Sequence, residues 1–205
     1  MPTQTSRSPG ADVSDRSRRW SARDLALIAA FAALTAVLAI APPFYLPGNP
    51  VPIVLQTLGV MLSGAILGWK RGAAAMALML GVGMLGVPVL SGGRPVLPAL
   101  GGPTVGFLVG YVVGAGVVGA LVQTRLPKVS ALWVALSCVV GGIVVAYLCG
   151  IPGMAWRGGM SWQAAAVASV AFLPGDIVKV LIASLVTPAV HRAVPGLTPP
   201  LRRRV

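Results

Sequence analysis

Six apolar blocks run along the chain, at about 25–46, 53–69, 72–90, 104–122, 131–151 and 171–190. Each is close to the roughly 20 residues that a helix needs to cross a bilayer. The pattern predicts six helices, and the short joints between them predict one compact bundle. Residues 1–24 read as a disordered basic cytoplasmic arm, 25–190 as the transmembrane body, and 191–205 as a second basic cytoplasmic tail. No small-residue cleavage site follows the first apolar block, so a secretory signal is not expected. The last block needs an internal boundary, because 163–190 is overlong for one helix. Pro174 suits a first helical turn, which predicts a spanning helix from about Pro174 to Val190 and a short interfacial segment over 161–172.

Composition agrees with that pattern. Hydrophobic residues make up 56% of the chain and charged residues only 10%, where a soluble domain carries about a quarter charged. Mean hydropathy is +0.86. The fold expected is an all-α membrane protein, with structured loops on one side.

The net charge of +12 is distributed by topology. Basic residues gather in the N-terminal arm (Arg7, Arg16, Arg18, Arg19, Arg23), the second loop (Lys70, Arg71), the fourth loop (Arg125, Lys128) and the C-terminal tail (Arg192, Arg202, Arg203, Arg204). The first loop has none, and the third and fifth have one each, Arg94 and Arg157. This alternation is the positive-inside pattern of a multi-pass protein with an even number of spans and both termini in the cytoplasm. The lipid bilayer accounts for the charge, and no nucleic-acid partner is implied.

Against this background one motif stands out. Phe172-Leu173-Pro174-Gly175-Asp176-Ile177-Val178-Lys179 places a carboxylate and an ammonium in apolar surroundings. The other acidic residues (Asp12, Asp15, Asp24) all precede the apolar body, so Asp176 is its sole carboxylate. An ionisable residue in a membrane segment costs roughly 2.5–3.5 kcal/mol at the centre and commonly marks a substrate path. A start at Pro174 puts Asp176 in the first helical turn, where the helix dipole favours an anion, with Lys179 on the same face. The pair is either an ion pair pinning the helix or a polar hook in an apolar cavity.

Other positions are candidates beside it. Gln56, at the outer end of the second span, either binds a polar ligand or satisfies a broken helix end. Gly102, Gly106, Gly110 and Gly114 form a stripe whose first reading is close helix packing. Ala22, Ala26 and Ala30, with Ala29, Ala33 and the pair Ala32 and Ala36, flatten a face of the first span that meets either a helix of this chain or another protein. The loops assigned to the outside, from Pro42 to Pro52, from Ser91 to Thr104, and around Trp156, Arg157 and Trp162, are rich in proline, glycine or aromatic residues and suit a cap over a pocket. Cys138 and Cys149 lie 11 residues apart within one span, about 16 Å along its axis. They cannot bridge each other, and no metal-ligand spacing occurs.

Three segments together carry a family likeness: Pro52-Ile53-Val54-Leu55-Gln56-Thr57, Gly101-Gly102-Pro103-Thr104-Val105-Gly106-Phe107, and the Phe172–Lys179 motif. In that order, over roughly 25–190, the chain resembles the BioY family, the biotin-binding substrate-specificity (S) components of energy-coupling-factor transporters of prokaryotes. The resemblance implies a six-helix protein of the prokaryotic plasma membrane that captures biotin at an outward-facing pocket. It implies as partners a transmembrane coupling protein and paired cytoplasmic ATPases. By that match Asp176 and Lys179 contact the ligand, with Gln56, Gly92, Arg94 and Thr104 around them, and Ala26, Ala29, Ala30 and Ala33 form the coupling-protein contact. The chain departs from the family pattern at Arg94-Pro95, where an uncharged glycine-rich run is expected, and at Val105, where glycine is more frequent.

Two other function classes are weaker. The sole histidine, His191, stands about 22 Å of helix from Asp176, and no serine or cysteine is placed with it as a nucleophile, so an intramembrane enzyme is not expected. No phosphate-binding Gly-x-x-x-x-Gly-Lys-Ser/Thr loop is present, so active uptake needs a partner ATPase. An S component for another vitamin, or a solitary biotin carrier, stays open. No cofactor and no metal site are expected.

Overall fold

The three apolar blocks from 104 onward become the longest helices, and each is long and apolar enough to cross a membrane: Val105–Gln123, the continuous run Ala131–Arg157, and Leu173–Ala193. They come from a computed structural model that describes residues 20–43 and 53–201. The arm before Trp20, the first-loop segment 44–52 and the last four residues lie outside the described residues. The described chain is all-helical with no strand, and its one β-bridge joins Leu90 and Arg94.

In chain order the helices are α1 (Ala22–Leu38), α2 (Gln56–Leu67), α3 (Trp69–Met84), α4 (Val96–Leu100), α5 (Val105–Gln123), α6 (Ala131–Cys138), α7 (Val145–Arg157), α8 (Trp162–Val170) and α9 (Leu173–Ala193). A π-turn over Val139–Val144 joins α6 to α7 without a break. The short α8 falls within the segment 161–172 that the proline boundary sets apart, and Pro174 falls in the first turn of α9.

Local chemistry sets the starts of several helices. Ser21 and Asp24 form a reciprocal capping box: Ser21 Oγ accepts from the Asp24 amide at 3.2 Å, and Asp24 Oδ2 accepts from the Ser21 amide at 3.0 Å. The helix therefore begins inside the segment 1–24 that the sequence assigns to a disordered arm. Ser130 and Ser161 cap α6 and α8 through the amides of Trp133 and Ala164. Between α2 and α3 the chain turns at Gly68 with φ +81°, and an added Cβ there would meet the Gln123 side chain at 2.7 Å. Only glycine fits that conformation and that space. Gln123 Oε1 then accepts from the Trp69 amide at 2.9 Å and so caps α3 from α5.

Helix α5 runs through the middle, touching α2, α3, α6, α7 and the π-turn. Its glycine stripe explains the closeness. A Cβ on Gly106 would run into the Cys149 carbonyl, one on Gly110 would lie 3.1 Å from Ala146 Cα, and one on Gly114 would lie 2.6 Å from the Gly141 carbonyl oxygen. Gly102 takes no part, since its nearest neighbour, the Ala99 carbonyl oxygen, is 3.7 Å away. Helix α1 lies against α2 and α3 through Ile28, Ala32 and Thr35. Its opposite face, with Ala22, Ala26, Ala29, Ala30 and Ala33, is exposed.

The segment read as a basic tail over 191–205 packs against the bundle as far as Leu201. Helix α9 continues to Ala193, and the chain then folds back over the ends of α2, α3 and α5. Arg71 donates to the Leu197 carbonyl at 2.7 Å, Thr198 Oγ1 donates to the Ile66 carbonyl at 2.7 Å, and Gln123 Nε2 donates to the Pro199 carbonyl at 2.8 Å. These contacts join segments more than 70 residues apart, which no local pattern announces. His191 Nε2 lies 3.0 Å from the Ala65 carbonyl oxygen, tying α9 to α2.

Candidate binding site

The helix order decides where polar groups can meet. The N-terminal ends of α2, α5 and α9 lie at one end of the bundle, away from the Gly68–Gln123–Pro199 cluster. Between them, with the loop before α4 and the first turn of α7, they enclose a cavity. Five of the six residues expected around a ligand line it: Gln56, Arg94, Thr104, Asp176 and Lys179. Gly92 does not. It is exposed, and with Gly93 (φ +79° and +70°) it makes the tight turn that pairs Leu90 with Arg94. Its contribution is to aim Arg94.

Asp176 and Lys179 are both buried, at 5% exposure each. Lys179 Nζ donates to Asp176 Oδ1 at 2.9 Å, and the Tyr147 hydroxyl donates to Oδ2 at 2.8 Å. One carboxylate thus takes a charge-assisted bond on each oxygen, which holds its plane fixed. The ion pair within the first turns of α9 also lines the cavity.

Tyr147 reaches Asp176 because of the π-turn. Inserting wider turns at Val139–Val144 rotates everything after it relative to α6, and the next residues, Ala146 and Tyr147, face the cavity. Gly142 lines it too; a side chain there would press on Met61 at 2.6 Å. Around the polar triad stands an aromatic wall. Phe172 meets Phe107 edge-on with ring centres 6.0 Å apart, and meets Tyr147 at 6.4 Å. Gly150 makes room for the Phe107 ring, which a Cβ there would strike.

Gln56 is buried, and its amide donates to the Val89 carbonyl at 2.9 Å and lies 3.4 Å from Met79 Sδ. It anchors the chain after α3, so it supports the cavity wall as well as lining it. Arg94 Nε donates to the Ser91 carbonyl at 3.2 Å, and its guanidinium makes no ion pair among the described residues. Thr104 makes no side-chain bond to cap α5. Formally the cavity carries one carboxylate against two basic side chains, an excess that suits an anionic ligand.

Sequence reasoning missed Tyr147, Tyr111, Phe107, Phe172 and Ser91 as lining residues. For the tyrosines a signal existed: only three occur in the chain, and a phenol within an apolar span needs a polar neighbour. No group of residues suited to a metal ion occurs among the described residues.

A strongly apolar helical body that encloses an aromatic cavity with a fixed carboxylate and an excess of basic groups defines a membrane-embedded protein that binds a small molecule. The family is narrower than that class. The chain belongs to the BioY family, whose family model matches residues 12–196. It is 43% identical over 182 residues to the biotin transporter BioY of Rhizobium etli, covering 86% of this chain and 97% of that one. The biotin transporter BioY of Rhodobacter capsulatus is 43% identical over 176 residues, 80% of this chain and 90% of that one. The fold is similar to the crystal structure of the S-component for biotin from an ECF-type ABC transporter, with a TM-score of 0.78 at 22% identity over 85% of this chain and 93% of that one.

Proposed function

We propose that this chain takes up biotin, binding it in the cavity and passing it on with a transmembrane coupling protein and paired cytoplasmic ATPases. The observation that carries the reading is the Tyr147–Asp176–Lys179 triad lining one cavity with Phe107, Phe172 and Arg94, whose guanidinium makes no ion pair among the described residues, in a chain of the BioY family. Biotin offers matching chemistry: a ureido ring with two N–H donors, an apolar thioether ring, and a carboxylate tail. Asp176 accepts from the ureido N–H groups, because a carboxylate cannot donate to the ligand's own carboxylate. Lys179 is held by Asp176 at 2.9 Å, so Arg94 is the cation left for the tail. Phe107, Phe172 and Tyr147 bury the ring. This is transport, not catalysis.

The same reading places six spans in a prokaryotic plasma membrane, with both termini in the cytoplasm and the cavity facing out. The alternating basic loops support it. So do the exposed tryptophans, Trp156 and Trp162 toward the cavity end and Trp20 and Trp69 toward the other, as at two membrane interfaces. The exposed alanine face of α1 (Ala26, Ala29, Ala30, Ala33) is the surface offered to the coupling protein.

Binding of labelled biotin to the purified protein in detergent tests the substrate, with Asp176→Asn and Lys179→Ala alongside. Saturable binding by the parent chain and loss in both variants is the expected result. A folded parent chain that does not bind biotin would refute the substrate. Co-purification with an ATPase pair separates a coupled transporter from a solitary carrier.

A further inference from the structure

The loop Val89–Pro95 contributes a second polar group to the cavity. Ser91 is 3% exposed and lines the cavity beside Arg94, whose Nε is bound to the Ser91 carbonyl. Its hydroxyl is buried and has no hydrogen-bond partner among the described residues. A buried hydroxyl without a partner carries a desolvation penalty, and folded proteins rarely leave one unless a ligand or ion completes it. The other such group, Thr187 Oγ1, lies deep in α9 and away from the cavity residues. The positive-φ turn at Gly92 and Gly93 fixes the Ser91–Arg94 pair as one unit. One polar element therefore presents a hydroxyl donor and a guanidinium, and that set matches a carboxylate, which accepts from both.

We propose that Ser91 is a specificity-determining contact for the ligand's carboxylate tail, its Oγ donating to the carboxylate held by Arg94. The inference rests on the biotin reading above and assigns the Val89–Pro95 turn as the tail-recognition element, opposite the Asp176 ring-recognition element. No group among the described residues partners the hydroxyl, and the tail carboxylate supplies an acceptor for it, so its contribution falls on the bound state.

The test uses the full chain in detergent, comparing the parent with Ser91→Ala by biotin titration and by thermal unfolding without ligand. A ligand contact weakens biotin binding roughly ten- to hundredfold, the range for a hydrogen bond to a charged group. The unfolding temperature without ligand stays equal or rises, since an unpartnered polar group has been removed. A hydroxyl with a purely structural bond does the reverse, lowering the unfolding temperature and sparing affinity, and that result overturns the proposal. Two analogues locate the contact. Desthiobiotin keeps the tail and must keep the Ser91→Ala penalty, whereas with biotin methyl ester, a weaker neutral acceptor, the penalty must shrink to below about threefold. An equal penalty with both analogues overturns the assignment to the tail. Unchanged biotin affinity in Ser91→Ala overturns it too and leaves the uptake reading standing; that reading falls only if the parent chain fails to bind biotin.

Discussion

The Tyr147 hydroxyl donates to Asp176 Oδ2 at 2.8 Å, on the oxygen that Lys179 leaves free. The two residues come from different helices, α7 and α9, so this bond ties together two walls of the cavity. It also locks the carboxylate before a ligand arrives, which saves ordering cost on binding.

Tyr147→Phe should therefore act on both stability and binding. The ring stays against Phe172, and only the bond to the carboxylate is lost. Such a bond to a charged group is worth about 1.5–3 kcal/mol, so the unfolding temperature should fall by roughly 3–12 °C for a chain of this size. Biotin affinity should drop by roughly tenfold, because Asp176 becomes free to turn. Calorimetric titration in detergent measures the second effect, and unchanged affinity would show that the orientation of Asp176 does not matter.

The Asp176–Lys179 pair makes a different prediction, because its members are costly apart. Removing one partner of a buried pair strands the other charge, a loss of about 3–5 kcal/mol. Lys179→Met alone and Asp176→Leu alone should each fold poorly. The double variant should regain most of the lost stability, since apolar replacement of a whole buried pair is often neutral. Biotin binding should not return with it. A double variant that folds and binds would assign both residues a purely structural part.

How much of this was visible beforehand depends on whether the cause is local. The helices, the short α8, the Pro174 start and the packing of the Gly106–Gly114 stripe follow from residue spacing. The Asp176–Lys179 pair was legible because charge is so scarce in the apolar body. Tyr147 was legible only as a phenol that needs a polar partner; which partner was not, because a π-turn shifts the phase of a helix with no mark that spacing can read. Gly92 lies outside the cavity lining: its backbone shapes the turn, while Arg94 and Ser91 line the cavity. The fold-back of Leu197–Leu201 depends on Arg71, Gln123 and Ile66, which are distant in sequence.

The glycine stripe predicts an asymmetric mutational response. Gly106→Ala drives a methyl group into the Cys149 carbonyl, and backbone cannot swing aside as a side chain can. Overpacking of this kind costs about 1–3 kcal/mol. Gly102→Ala, with its nearest atom at 3.7 Å, should stay within about 0.5 kcal/mol of the parent. Thermal unfolding of the two variants side by side checks the ranking, and a reversed order would mean that α5 does not lie on α7 in this register.

For the alanine face of α1, separation of functions is the signature. Ala29 and Ala33 are exposed and take no part in the cavity. Leucine at both positions should leave unfolding temperature and biotin affinity as they are. Close helix approach depends on small side chains, so co-purification with the coupling protein should fall sharply. If the double variant still assembles fully, another face of the protein carries the contact.

Acid should loosen the opposite end of the bundle. Asp24 precedes the apolar run of α1, and its carboxyl is held below its ordinary value of 3.8, first by the Ser21 amide, then by the Ser21 hydroxyl and Arg71. Arg71 Nη1 lies 3.1 Å from Asp24 Oδ1 while its Nη2 donates to the Leu197 carbonyl, so the carboxylate steadies the C-terminal fold-back. A depressed carboxyl contributes stability that is present above the unfolded-state value and is lost as pH falls through the folded-state value. Asp24→Asn should thus cost about 0.5–1 kcal/mol at neutral pH, the scale of a helix cap plus a half-exposed ion pair. Below pH 3.8 that difference should shrink toward zero as the parent's own carboxyl takes up a proton. Unfolding temperatures of both chains across pH 3 to 7 would show the two curves converging on the acid side, and parallel curves would mean that Asp24 contributes through shape and not through charge.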